Sequence, residues 1–408
     1  MNQLILPLEN KIQDYAWGSR ESLARIRGAK VPTNKPEAEL WMGAHPGAPS
    51  ITLVNGKRSL LELTEADAGA TLGSSVRERF QGRFPFLLKL LAAAQPLSLQ
   101  AHPTKAQARE GFAGEEARGI GRDAPNRNYK DENHKPELIS ALTPFSALVG
   151  FRSIQATLRL FHELRVEPLE PVLLTLAEGP EARGLRSFFE LVMTAERPKR
   201  IVWARETLAA CRYFVDSSRE FSKELAWGVR IGEKYPDDAG IVVALALNLV
   251  ELEPGQALYL PAGNLHSYLE GTGVEIMASS DNVLRGGLTP KHVDVPELLR
   301  VLDFHAGPAE LVPVQTRGAE RTYRTPAPEF ALSRFDLDGG ATPVGPVTGP
   351  EIVVATSGTA TLHRGGETLA LASGASAFIP AAGGDYTLVG TATVFRARVN
   401  DAPATNSR

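Results

Sequence analysis

The chain has 408 residues, of which 43% are hydrophobic and 22% charged, and its net charge is −3 at pH 7. This length exceeds one ordinary hydrophobic core, so two or three domains of a globular protein are expected. The near-neutral charge gives no electrostatic basis for binding nucleic acid or an anionic membrane, and we expect neither as a partner.

Three features of the sequence indicate the cellular compartment of the protein. It has no apolar run of about eighteen residues, the length that a transmembrane helix needs. The residues after Met1 lack the basic and apolar regions of a signal peptide. The single cysteine, Cys211, cannot form an internal disulfide and is consistent with a reducing cytosol. We expect a cytoplasmic protein.

Short strand-like runs dominate residues 1–150. Residues 4–8 and 39–43 are predicted strands, and a further apolar run at 86–91 is interrupted by Lys89. That lysine either extends to the surface or reaches into a polar cavity. The strand that follows carries Gln100 and His102, whose i, i+2 spacing directs both side chains to one face.

The pattern changes to helical spacing between residues 152 and 238. Apolar residues recur every three or four positions around 153–161, 185–192 and 201–209, and prolines separate these segments. This predicts an insertion of four or five helices. No polar constellation stands out within it, so we assign the insertion a structural role on one side of a cavity.

Strand-like patterns return after residue 240. The runs 241–250 and 253–263 are joined by Pro254-Gly255, which predicts a hairpin whose second strand leads to His266. Residues 351–380 repeat this arrangement around a second glycine turn. The repetition indicates two related small β-barrels or jelly rolls in one chain.

These elements predict a mainly β protein with an α insertion. We expect a discontinuous catalytic barrel formed by residues 1–150 and 239–310, a helical insertion at 151–238, and a C-terminal barrel at 311–408. The segment that corresponds to His266 in the C-terminal barrel offers no ligand set, so that barrel is expected to be metal-free.

Four residues in three short stretches carry the side chains that one metal ion needs. They are Gln100 and His102, Glu137, and His266. Two imidazole nitrogens and two oxygens suit a borderline divalent ion, with zinc the first choice. Each residue alone is more often a surface or core residue than a ligand. Their conjunction favours a metal site.

Five motifs resemble those of the type I mannose-6-phosphate isomerases. They read QDYAWGS at 13–19, ELWMGAHP at 39–46, SLQAHP at 98–103, NYKDENHKPE at 128–137 and SSDNVLRGGLTPK at 279–291. The motifs occur in the family's order, and several are long, which makes the resemblance specific. The C-terminal third of the chain is similar to the family only in general terms.

The resemblance implies two cupin domains with a helical insertion, and one zinc ion per chain held by Gln100, His102, Glu137 and His266. It implies an isomerase that interconverts mannose 6-phosphate and fructose 6-phosphate by proton transfer between C1 and C2 through an enediol. The partner is then a small sugar phosphate, and the family's catalytic arginine corresponds to Arg285.

The chemistry requires a Lewis acid, a proton carrier and cations for the phosphate. We assign phosphate binding to Lys135, Arg285 and Lys291 as candidates. As proton carrier we favour Lys135 near Arg285, since a neighbouring cation weakens a lysine's hold on its proton. Glu275 and His134 compete for that role. Alternation puts Glu275 on the face opposite to Val274 and Ile276, which is either the surface or the cavity, and the resemblance implies the cavity.

Three further residues are candidate substrate contacts. Ser98 and Tyr268 lie two positions from Gln100 and His266, so each is predicted to share a face with a metal ligand. Asp281 either orients Arg285 or caps a neighbouring turn. We expect a monomer, because no heptad pattern or self-complementary apolar face is evident.

Two other functions fit parts of this pattern. A cupin oxygenase with non-haem iron would use two histidines and one carboxylate, but Gln100 and the cations at Lys135 and Arg285 argue against it. A non-catalytic sensor of sugar phosphates would keep the pocket without turnover. Metal analysis and an activity assay distinguish both from an isomerase.

Overall fold

A computed structural model describes residues 3–53, 56–177 and 179–401. Within these ranges no helix combines the length and hydropathy that a membrane crossing requires. The described elements of the first half are β1 (Leu6–Leu8), β2 (Lys11–Gln13), α1 (Ser22–Ile26), β3 (Glu39–Gly43), β4 (Ile51–Thr52), β5 (Arg58–Ser59), α2 (Leu60–Ala66), α3 (Ala68–Leu72), α4 (Ser74–Arg79), β6 (Phe86–Ala93), β7 (Gln100–Ala101), α5 (Lys105–Ala117), β8 (Glu137–Ala141), β9 (Phe145–Phe151), α6 (Ile154–Leu164), α7 (Glu170–Leu176), α8 (Glu181–Thr194) and α9 (Arg197–Phe214).

The second half completes both β units. Its described elements are α10 (Ser222–Lys234), α11 (Gly240–Leu245), β10 (Leu247–Leu252), β11 (Ala257–Leu260), β12 (His266–Ala278), β13 (Leu284–Arg285), α12 (Val295–Val301), β14 (Val314–Arg317), β15 (Glu320–Tyr323), β16 (Ala331–Val344), β17 (Glu351–Arg364), β18 (Glu367–Ala372), β19 (Ser376–Ile379) and β20 (Tyr386–Arg398). The protein is mainly β with an α insertion, as the sequence predicts.

The long strand β12 lies at the centre of the first β unit, which is the sheet formed by β2, β3 and β6 to β13. Its beginning pairs with β7 and β9, and its second half pairs with β6 and β8, all antiparallel. The register places His266 opposite Gln100 and Glu275 opposite Lys89. Directly opposed residues of antiparallel strands have their side chains on the same face. One strand therefore brings both ends of the candidate site together.

Two predicted elements of this unit are wrong. The run 241–250 begins as the helix α11 and becomes strand only at Leu247. Residues 241–243 are completely buried, so every position is apolar and periodicity cannot distinguish helix from strand. The predicted hairpin at Pro254-Gly255 is also absent from the described pairings, since β10 pairs with β9 and β11 with β8. That turn therefore connects two strands, β10 and β11, that pair with different partners.

The helices predicted between residues 152 and 238 are present as α6 to α10. Their buried faces, represented by Leu160, Phe188 and Leu225, belong to one hydrophobic core. The same core includes Leu265 and Leu288, which lie next to the candidate site. The insertion therefore packs directly against the segments that carry the functional residues.

The second β unit contains β14 to β20, and the N-terminal strand β1 joins it by pairing with β19. The glycine turn at Gly365-Gly366 closes the predicted hairpin, in which Arg364 pairs with Glu367. Apolar residues of both units share a second core, in which Leu88 and Ile276 of the first unit cluster with Phe395 of the second. This shared core holds the two units against each other.

Candidate metal centre and adjoining cavity

His102, Glu137 and His266 converge on one point in the first β unit. Their ligand atoms all lie within 4.8 Å of one another, and all three side chains are buried. The Nε2 atoms of His102 and His266 each lie 3.4 Å from Oε2 of Glu137. Three segments that are distant in the sequence thus direct two nitrogens and one carboxylate oxygen towards a common centre.

Backbone carbonyls fix the orientation of both imidazoles. Nδ1 of His102 donates to the carbonyl oxygen of Asn282 at 2.7 Å, and Nδ1 of His266 donates to that of Asn264 at 3.0 Å. Because a carbonyl only accepts, each Nδ1 carries the hydrogen and each Nε2 keeps a free lone pair. This arrangement is the usual support of metal-binding histidines.

Both Nε2 atoms are buried and have no hydrogen-bond partner. Buried polar atoms without a partner are rare and costly, so such a pair calls for an explanation. A divalent metal ion between the two nitrogens and the Glu137 carboxylate satisfies all three groups at once. The residues present therefore fit a zinc ion.

Gln100 is placed to add a fourth ligand. It lies opposite His266 on β12 and opposite Arg285 on β13, so these three side chains share one face of the sheet. Gln100 and Glu137 both line the adjoining cavity. An amide oxygen at this position would complete a set of two nitrogens and two oxygens.

The charges of the centre favour a metal-binding state. Burial lowers the pKa of His102 to about 4, so the imidazole is neutral near pH 7. Burial would raise the pKa of Glu137, but Lys135 and His102 outweigh it and hold that pKa well below its usual value. A neutral imidazole and an ionised carboxylate are the forms that ligate metals.

A cavity of about 690 Å³ opens beside the metal centre. Nζ of Lys135 lies in its wall and contacts Oε1 of Glu137 at 3.0 Å. The two histidines face Oε2 of the same carboxylate, so the ammonium and the metal ligands use different oxygens. Lys135 therefore lies directly beside the candidate metal ligands and faces the cavity.

A buried cluster of opposite charges forms another part of the cavity wall. Nζ of Lys89 contacts Oε2 of Glu275 at 2.7 Å and Oε1 of Glu39 at 3.5 Å. Burial would lower the pKa of Lys89, but these carboxylates outweigh it and raise the pKa. Burial, with some help from Glu137 and Glu39, raises the pKa of Glu275. Lys89 thus reaches into the cavity, and Glu275 faces it as predicted.

Besides Lys89 and Lys135, the cavity wall includes Lys130, Arg285 and Lys291, and Arg285 lies opposite Gln100 on the neighbouring strand. Burial lowers the pKa of Arg285. Burial also lowers the pKa of Lys291, and the positive charges of Arg285 and Lys130 lower it further. Among the described residues none of them forms an ion pair with a carboxylate. Such a group is suited to an anion such as phosphate.

The other candidates from the sequence occupy different positions. Ser98, Tyr268 and Asp281 line the cavity. Tyr268 is buried with its ring edge against Phe145, and burial, then the charge of Glu275, raises its pKa well above the usual value. The carboxylate of Asp281 contacts Nε2 of His45 at 3.1 Å.

His134 is turned away from the metal centre towards the second β unit. Its Nε2 lies 2.7 Å from Oε1 of the buried Glu329. The cavity wall, as far as the described residues define it, does not include His134. This position argues against His134 as the proton carrier.

The sequence reasoning missed Asn282, which connects the loop at 130–133 to the metal centre. Its side-chain oxygen accepts from the backbone of Lys130 at 2.7 Å, and its side-chain nitrogen donates to the carbonyl of Asn133 at 2.8 Å. Its own carbonyl orients His102. The only signal for this role was its place inside the motif at 279–291. Lys130, which lines the cavity, was also missed, and its only signal was its place inside the motif at 128–137.

Comparison with family models gives two matches. Residues 5–154 match the model of the phosphomannose isomerase type I catalytic domain, and residues 319–399 match that of the mannose-6-phosphate isomerase cupin domain. The first match contains Gln100, His102 and Glu137. The second covers most of the C-terminal β unit.

Curated relatives and solved structures agree with these matches. The chain is 41% identical to the mannose-6-phosphate isomerase of Escherichia coli, over 92% of this chain and 94% of that protein. It is 34% identical to the human mannose-6-phosphate isomerase, over 83% of each chain. A crystal structure of a mannose 6-phosphate isomerase with zinc bound is similar with a TM-score of 0.89 and 38% identity, covering 98% of this chain and 100% of that one.

Proposed function

The chain belongs to the type I phosphomannose isomerases, and on that basis we propose how its residues interconvert mannose 6-phosphate and fructose 6-phosphate. The enzyme is a zinc-dependent aldose–ketose isomerase of the cupin fold. The observation that carries the assignment of residues is the pair of buried, unpartnered Nε2 atoms facing Glu137 beside a cavity with cations in its wall.

Zinc is held by His102, Glu137 and His266, with Gln100 as the fourth ligand. When bound, the ion supplies Lewis acidity to the oxygens on C1 and C2 of the open-chain sugar, which makes the hydrogen on the adjacent carbon more acidic. Asn282 and Asn264 keep the two imidazoles in the orientation that this requires. One zinc ion per chain is expected.

The phosphate of the substrate binds to Arg285, Lys291 and Lys130. A phosphate dianion matches a group of cations without carboxylate partners, and arginine can hold two of its oxygens at once. Because the metal centre holds the other end of the sugar, these two anchors fix the open chain in register along the cavity. Ser98, Tyr268 and Asp281 line the space between them and contact sugar hydroxyls.

Lys135 moves the proton between C1 and C2. Its Nζ contacts the Glu137 carboxylate, which would hold the metal, and it lines the cavity that would hold the sugar. Glu275 serves as the second proton-carrying group, since its raised pKa lies closer to the working pH than that of an ordinary glutamate. Lys89 holds Glu275 in place and compensates its charge when it is ionised.

Chelation is expected to remove the isomerase activity, and zinc is expected to restore it. Mannose 6-phosphate turnover is measured in a coupled assay before and after treatment with a chelator, and again after zinc is added back. The metal content is measured on the same samples. Full activity in a sample that contains no metal would overturn the zinc-dependent function.

Replacing Lys291 with glutamine is expected to raise KM for mannose 6-phosphate about tenfold or more, because a hydrogen bond to a charged group contributes about 1.5–3 kcal/mol. The value of kcat should change little, since Lys291 lies at the phosphate end of the cavity. Steady-state kinetics at pH 7.5 give both constants. An unchanged KM would place the phosphate elsewhere.

We also propose that the enzyme is a cytoplasmic monomer. The single cysteine is buried inside the helical insertion, so folding requires no disulfide. Light scattering with size-exclusion chromatography tests the monomer, and a dimer mass would contradict it.

A further inference from the structure

A second groove, of about 890 Å³, adjoins the catalytic cavity on the side of the helical insertion. Lys234, Tyr235, Thr289, Pro290 and Lys291 line both spaces, so the two are continuous. The outer wall of the groove includes two arginines from the first residues of α9, Arg197 and Arg200. The helical insertion thus contributes charged groups next to the phosphate end of the cavity.

The acidic residues of this groove are already engaged within the protein. Asp237 forms an ion pair with Arg205 at 2.8 Å. Asp238 accepts hydrogen bonds from the backbone of Gly240 at 2.8 Å and of Thr289 at 3.1 Å. Neither carboxylate pairs with a cation of the groove wall, and the four cations of that wall outnumber these two carboxylates, so the groove carries a net positive charge.

The cations of the groove are not neutralised. In the part of the chain that the structure describes, Arg197, Arg200, Lys234 and Lys291 form no ion pair with a carboxylate. Nζ of Lys234 donates to the carbonyl of Pro96 at 2.8 Å and lies 5.3 Å from the centre of the Tyr235 ring, and neither partner carries a negative charge. Arg200 also lines the groove, and its guanidinium keeps its positive charge at any working pH.

We propose that this basic groove is an entry site, at which Arg197, Arg200 and Lys234 hold the phosphate of the incoming sugar before Lys291 transfers it to Arg285 in the catalytic cavity. The inference rests on the proposed function, because it assumes a dianionic sugar phosphate as the substrate. Lys291 links the two sites, since it lines both spaces. A cleft of one charge sign concentrates an oppositely charged substrate and speeds its association.

The test compares arginine variants of α9 with a matched control on the same helix. Arg197→Gln, Arg200→Gln and the double variant remove positive charge from the groove. Lys199→Gln removes the same charge from a side chain that lines a different, apolar groove beside Val202 and Trp203. The values of kcat and KM for mannose 6-phosphate are measured at low ionic strength and in 0.5 M NaCl, about where charges at the surface are screened.

The double variant is expected to lower kcat/KM about three- to tenfold at low ionic strength, mostly through KM, and the difference should nearly vanish at high salt. The single variant Arg197→Gln, at an exposed position, should give a smaller loss of kcat/KM that also vanishes at high salt. This variant keeps the test informative if the double variant folds poorly. Lys199→Gln should behave like the unmodified enzyme.

Two results would overturn the entry site. The first is that the arginine variants match Lys199→Gln, and the second is that their loss persists at high salt. Both results are compatible with an active isomerase, so they leave the proposed function standing. Failure of that function is recognised separately, as absence of mannose 6-phosphate turnover in the unmodified enzyme.

Discussion

Replacing Lys135 with methionine is expected to lower kcat about 10²–10⁴-fold, the range that a positioned proton carrier contributes. Methionine keeps much of the length of the side chain but cannot carry a proton. The metal ligands remain in place, because Lys135 contacts Oε1 of Glu137 while the histidines face Oε2. Zinc content should therefore stay at one ion per chain while turnover falls.

Lys105→Met is the control for this experiment, since it removes one lysine from the exposed start of α5. It should leave kcat unchanged. Near-normal turnover by Lys135→Met would remove Lys135 from the mechanism and transfer the proton-carrying role to Glu275. In that case Glu275→Gln should show the large loss of kcat instead.

Replacing His266 with alanine is expected to abolish tight zinc binding and to lower kcat/KM at least about a thousandfold. A metal ion contributes several kcal/mol to such a reaction, and each 1.36 kcal/mol corresponds to a factor of about ten in rate. The measurement is zinc per chain after dialysis, together with kcat/KM. His266 is completely buried at the start of β12, so a side chain at the surface cannot take its place as a metal ligand.

His292→Ala is the matched control, because it removes an exposed histidine that directly follows the cavity residue Lys291 in the sequence. It should retain zinc and activity. If His266→Ala binds zinc as tightly as this control, the assignment of His266 as a ligand is wrong, and the buried lone pair on its Nε2 would need another explanation.

Much of the candidate site was accessible from the sequence because its ligands lie in short local motifs. The i, i+2 spacing of Gln100 and His102 already implied a shared direction, and the structure indeed places His102 with Glu137 and His266. Strand alternation placed Glu275 on the face opposite to Val274 and Ile276, and the resemblance to the family indicated that this face is the cavity, where the structure places the side chain.

Other features depended on contacts between distant segments. The role of Asn282 arises from hydrogen bonds to residues about 150 positions earlier in the chain, and no local pattern records them. The predicted hairpin did not form, because the strands on either side of the Pro254-Gly255 turn pair with β9 and β8, which lie about 100 positions earlier in the chain.

The sequence by itself determined the mainly β character, the helical insertion, the zinc chemistry and the type of substrate. The β character and the helical insertion follow from residue types and from spacings of a few positions, and two imidazoles with two oxygens favour zinc. The substrate is what the resemblance of the five motifs to the type I mannose-6-phosphate isomerases implies. Only the tertiary structure decided that Lys130, Arg285 and Lys291 line one cavity and that Arg197 and Arg200 line the adjoining groove. Electrostatic interaction depends on distance through space, and the chain's folding sets that distance independently of separation along the sequence.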